Sequence, residues 1–125
     1  MTLRRERLSS LDAVDPQAWD ALGGAESPFL SHAFLRLLET TGCVGGTTGW
    51  RPAHLTLSDA NGLRGAIPAY LKDHSWGEFV FDFGWAQAYA RHGRRYYPKL
   101  LATVPFTPAT GARLLHRPAD VMACR

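Results

Sequence analysis

Asp82, Glu78 and His74 are the residues of this 125-residue chain whose types best suit proton transfer. A carboxylate within hydrogen-bond reach of an attacking amine can take its proton, and an imidazole titrates near neutrality. His74 lies in Lys72-Asp73-His74-Ser75, a loop-like segment of the kind where functional side chains concentrate. Further on, Arg91, Arg94, Arg95 and Lys99 fall within nine residues, together with Tyr96 and Tyr97. Guanidinium groups grip phosphates or carboxylates through paired hydrogen bonds, and phenol rings stack on sugars or bases. The candidate catalytic residues are therefore Asp82 and His74. The candidate substrate-binding residues are Asp73, His74, Trp85, Arg94, Arg95, Tyr96, Tyr97 and Lys99.

Each candidate also has a plainer reading. Glu78 and Asp82 can form a solvated or ion-paired strand face, which is worth little energetically. His92 falls on the apolar stripe of a helix and reads as a half-buried, hydrogen-bonded residue. Arg91 projects outward on the same helix. The stretch 94–99 reads equally well as a loop whose tyrosines pack on a sheet. No His or Cys falls at metal-ligand spacing, so no metal is expected.

These side chains must be positioned by short elements. Residues 2–8 read as a strand. Asp15-Pro16 starts a short helix, with Asp as cap and Pro at the first helical position, that runs through Trp19 and Leu22 to Gly23-Gly24. Ser31 caps a second helix carrying Phe34, Leu35 and Leu38 at helical spacing, and Gly42 ends it. Residues 51–57 alternate as a strand with Ala53, Leu55 and Leu57 on one face. Asn61-Gly62 suits a hairpin turn. Its partner strand, 63–71, puts Leu63, Ile67, Ala69 and Leu71 on one face, with Pro68 marking a bulge or an edge. Residues 78–83 predict a third strand, with Phe79, Phe81 and Phe83 opposite Glu78, Val80 and Asp82. A helix over 85–92 follows, with Trp85, Ala88, Tyr89 and His92 as its apolar stripe, and then a last strand over 100–104. The order is β-α-α-β-β-β-α-β, an α/β (α+β) class in a single domain spanning 1–125.

The whole-chain figures are permissive. A hydrophobic fraction of 46% and a charged fraction of 20% are those of a globular protein with a modest core. The net charge of +3 allows anionic partners without demanding them. Cys43 and Cys124 are expected to be reduced thiols. Residues 1–10 have no apolar leader, and residues 100–112 are too short and proline-broken to span a bilayer, so the expected compartment is the cytoplasm.

The element order is similar to the GNAT acyltransferase fold as far as its fifth strand. The strings SPFLSHAFLRLLE, GWRPAHL, AYLKDHSWGEFVFD, YYPKLL and VPFTPATGARLL resemble the opening third of bacterial FemAB-like proteins of peptidoglycan biosynthesis or recognition, from Ser27 to about Leu115. Longer members resemble two GNAT-like halves in tandem. The resemblance implies a mixed sheet with an antiparallel meander, truncated after about the fifth strand, with 116–125 beginning the next helix. It implies the N-terminal, substrate-recognising half of an acyl or aminoacyl transferase acting on an amine, not catalytic alone. Its partners would be a missing C-terminal half or a second copy at the exposed sheet edge, with a small-molecule or peptidoglycan-precursor acceptor.

In GNAT proteins a glycine-rich loop before a helix holds the coenzyme A diphosphate. Here that place reads FDFGWAQAYARHG, with Trp85 directly after a single glycine. No cofactor is therefore expected in this half; acyl-CoA or aminoacyl-tRNA would belong to the full-length relative. Two other functions remain open: a binding module for anionic polymer (nucleic acid or cell-wall glycan), and an inert remnant.

Overall fold

The computed structural model describes residues 2–120. The elements are β1 (Arg4–Leu8), α1 (Pro16–Asp20), α2 (His32–Thr40), β2 (Trp50–Pro52), β3 (His54–Asp59), β4 (Gly62–Ile67), β5 (Tyr70–Lys72), α3 (Phe83–Arg91), β6 (Lys99–Leu101) and β7 (Leu115–His116), with short 3-10 turns between. The α-and-β class stands as expected. The strands, however, form two wholly antiparallel sheets rather than one mixed sheet, ordered β1-β3-β4-β7 and β2-β5-β6.

Both helix starts follow from their caps. Asp15 Oδ2 accepts from the Ala18 amide at 2.9 Å, and Ser31 Oγ accepts from the Phe34 amide at 3.3 Å. The core lies between these helices and the four-stranded sheet. It is built from Leu11, Trp19, Leu22, Leu30, Leu35, Ala66, Val104 and Leu115. The Trp19 indole donates to the Leu30 carbonyl at 3.0 Å, which satisfies its one buried donor. A second, smaller core of Val44, Trp50 and Tyr70 lies against Leu38 and Leu101.

The sheet divides at Pro68. Two continuous strands, 51–57 and 63–71, are each split into a strand in one sheet and a strand in the other. Pro68 has no N–H to give the ladder. The next amide, Ala69, donates to His54 Nδ1 at 3.2 Å instead of to a carbonyl. Opposite, the Ala53 amide still reaches the Ala69 carbonyl at 2.9 Å, so the corner stays joined. The inward positions of β3 are His54 and Thr56, not Leu55 and Leu57, because the buried imidazole finds partners on both nitrogens.

Residues 78–83 are not a strand. β6 takes the side of β5 that the next strand of the meander would have occupied, and β2 takes the other. It runs as an irregular loop into α3, with Phe79 and Phe81 exposed and Glu78 turned inward. α3 begins two residues earlier than expected, and none of its side chains is buried. The stripe Trp85, Ala88, Tyr89, His92 therefore faces outward, and His92 is exposed rather than half-buried. The strand expected over 100–104 is β6, which starts at Lys99 and ends at Leu101. Of residues 116–125, His116 ends β7 and Pro118–Asp120 form a 3-10 turn; residues 121–125, Cys124 among them, lie outside the described residues.

Candidate functional site

Two lysines, from adjacent strands of the smaller sheet, meet two carboxylates from the loop that follows. β5 places Tyr70 and Lys72 on one inward face, two residues apart. Register pairs Lys72 with Lys99 across the β5–β6 ladder. Like charges opposite one another in a sheet repel. The loop supplies the remedy. Glu78 bridges them, with Oε2 2.9 Å from Lys72 Nζ and Oε1 2.7 Å from Lys99 Nζ. Asp82 completes the set by accepting from Lys99, Ser75 and Tyr96. Ser75 Oγ also lies 3.0 Å from Lys99 Nζ and 2.6 Å from the Tyr97 hydroxyl.

Lys72 is fully buried. Its Nζ donates to the Trp76 carbonyl at 2.7 Å and sits 3.8 Å above the Trp50 ring centroid. Burial lowers its proton affinity, Glu78 partly restores it, and the Lys99 charge adds to the lowering. Lys99 shifts the other way. Burial opposes its charge, but Asp82 and Glu78 outweigh that and hold it protonated. Burial likewise opposes the Asp82 charge, yet hydrogen bonds from Lys99, Ser75 and Tyr96 prevail and hold the carboxyl at about 2. The bond to Asp82 pushes the Tyr96 hydroxyl up to about 12.

A carboxylate so stabilised is a weak base, and its oxygens are already engaged. Asp82 thus has the chemistry of an anchor. The network as a whole balances two positive and two negative charges, and it fixes Tyr96 and Tyr97 with their rings crossed at 88°.

The other candidates are distributed differently. His74 donates from Nε2 to the Thr48 carbonyl at 2.8 Å and accepts at Nδ1 from the Trp76 amide at 3.1 Å. Both nitrogens are spent on backbone, so His74 is a clamp between two loops. Asp73 is exposed and pairs with Arg51 at 3.1 Å, apart from the network. Trp85 and Arg94 line an open depression of about 620 Å³ with Ala88, Tyr89 and His92. The Tyr89–Tyr96 ring contact, 5.2 Å between centroids, connects that depression to the network. Arg95 is exposed beside it. The structure therefore brings together Asp82, Tyr96, Tyr97 and Lys99, and leaves Asp73 and His74 outside.

Sequence reasoning missed Lys72 and Ser75. Lys72 carried a legible signal, since it falls on the same strand face as Tyr70. A second buried pair was also missed. Glu39, at the end of α2, accepts from His54 Nε2 at 3.0 Å, Ser10 Oγ at 2.8 Å and the Leu11 amide at 3.0 Å. Burial disfavours its charge, and these donors together hold its proton affinity below the ordinary carboxylate value. Because His54 Nδ1 accepts from Ala69, its proton is on Nε2. This pair ties α2 to the corner of the two sheets. Among the described residues no three His, Cys, Asp or Glu side chains converge as a metal site.

The sequence profile of FemAB-like proteins, described as peptidoglycan biosynthesis/recognition, matches residues 10–123. The chain belongs to the FemAB-like family. No curated protein and no solved structure matches it. Among the described residues of this FemAB-like chain, no helix is long and apolar enough to cross a membrane.

Proposed function

We propose that this FemAB-like chain is the substrate-recognition half of a GNAT-type acyl or aminoacyl transferase, working in the bacterial cytoplasm on the amine of a peptidoglycan precursor. One observation carries the reading. Every acid–base group of the Lys72–Glu78–Lys99–Asp82 network is already engaged by protein, while the tyrosines and arginines beside it stay accessible. Such a site holds a substrate and does not abstract its proton. Tyr96 and Tyr97 would present ring faces to a sugar, and Arg94 and Arg95 would meet a phosphate or carboxylate.

The start of α3 does not suit a coenzyme A diphosphate. Trp85 follows the single Gly84 in the first turn, and its exposed indole crowds the place where a diphosphate would approach the amides. Acyl-CoA or aminoacyl-tRNA is therefore assigned to a companion half. That half, or a second copy, would add a strand at β6, which is paired only on its β5 side.

The test is titration of the chain with a soluble uridine-diphosphate-linked muramyl pentapeptide, read by amide chemical shifts. Perturbations centred on residues 94–99, without turnover when an acyl or aminoacyl donor is added, are expected. Turnover by this chain alone, abolished in Asp82→Asn, would reverse the assignment.

A further inference from the structure

The loop after Lys72 is turned inside out. Its two carboxylates, Glu78 and Asp82, point inward to Lys72 and Lys99. Its hydrocarbon points outward: Trp76 is 67% exposed, Phe79 57%, Val80 86% and Phe81 65%. Phe81 stacks on Phe83 at 5.8 Å and 14°, and Phe83 meets the Trp76 ring at 5.3 Å, so these rings form one patch. Isolated exposed apolar residues are ordinary, but a contiguous group marks a surface that meets something.

The charge around the patch is one-sided. The loop's own carboxylates, Glu78 and Asp82, are both neutralised by lysine. Arg113 lies in the groove beside Phe79 and Val80 and, among the described residues, bonds only to the Gly111 and Ala109 carbonyls. Arg91, in the last turn of α3, is exposed and forms no ion pair with an acidic side chain among the described residues.

We infer that the Trp76–Phe81 loop is a docking tip for an anionic lipid surface, in which the rings enter the headgroup boundary and the arginines meet lipid phosphates. Indole and phenyl rings favour that boundary, and basic residues near it add attraction that salt screens. The composition favours lipid over nucleic acid, because Val80 and the phenylalanines offer no hydrogen bonds and both lysines, Lys72 and Lys99, are committed to Glu78 and Asp82. The surface is separate from the precursor contacts at residues 94–99.

The experiment is co-sedimentation of the whole chain with phosphatidylcholine vesicles, with and without phosphatidylglycerol, alongside tryptophan emission. Trp19 and Trp50 are buried, so a blue shift reports Trp76 and Trp85. Binding only to the phosphatidylglycerol vesicles, weakened by salt, is expected. Phe79→Ser with Phe81→Ser should weaken it about tenfold or more, as should Val80→Glu, while melting temperature and precursor shifts stay unchanged. Equal binding of wild type and variants, or equal binding to uncharged vesicles, overturns the inference. So does self-association without vesicle binding, which assigns the patch to a protein partner, or a preference for RNA over vesicles.

Discussion

Lys99 is the residue on which the network turns, since it alone touches Glu78, Ser75 and Asp82. Replacing it with methionine leaves two poorly compensated carboxylates in a nearly closed site. Loss of about 3 kcal/mol of stability is expected in urea unfolding. Asp82 sets a pH dependence. Its folded value of about 2 lies below the ordinary 3.8, so its contribution is complete above about 4 and is lost as pH falls toward 2. Asp82→Asn should flatten that acid limb, measured by thermal melts across this range. Tyr96, Tyr97, Lys99 and Asp82 were legible in the sequence as types suited to chemistry. Their meeting was not, because it depends on a loop folding back over two strands, and spacing along a chain does not report that.

At the scale of elements, caps and turns were legible because their causes are local. Asp15-Pro16, Ser31 and Asn61-Gly62 each need only a few neighbours. The phase of β3 and the fate of residues 78–83 were not. Alternating phenylalanines satisfy a strand pattern whether or not the segment pairs, and it is β6 that takes the place beside β5. Two glycines sharpen the point. A Cβ at Gly49, where φ is +78°, would lie 2.3 Å from the His74 ring, so Gly49→Ala should cost about 2 kcal/mol and loosen the 73–76 loop. A Cβ at Gly84 meets nothing. Gly84→Ala, in the first turn of a helix, should raise stability by about 0.5 kcal/mol and leave precursor binding intact, both read in one titrated melt series.

For the molecule as a whole, the two sheets leave β6 as a short outer edge with Leu100 exposed. Such an edge invites another strand. Size-exclusion chromatography should show a concentration-dependent dimer, and Leu100→Lys should shift it toward monomer. The α-and-β class and the family were both legible from the chain. The division into two sheets was not, although its cause, Pro68, was visible as a missing donor. What the sequence could not show is that His54 would take over the Ala69 amide, a contact made across fifteen positions.

Lys72 reaches the Trp76 carbonyl four residues on and the Glu78 carboxylate six residues on, from a place it cannot leave. The ammonium group therefore acts as a ruler for chain length. Deleting or inserting one residue between positions 73 and 77 would strand a cation beneath Trp50, whereas additions at Val80 would lengthen only the outermost part of the loop. Variation in length should accordingly gather at the tip and spare the stem.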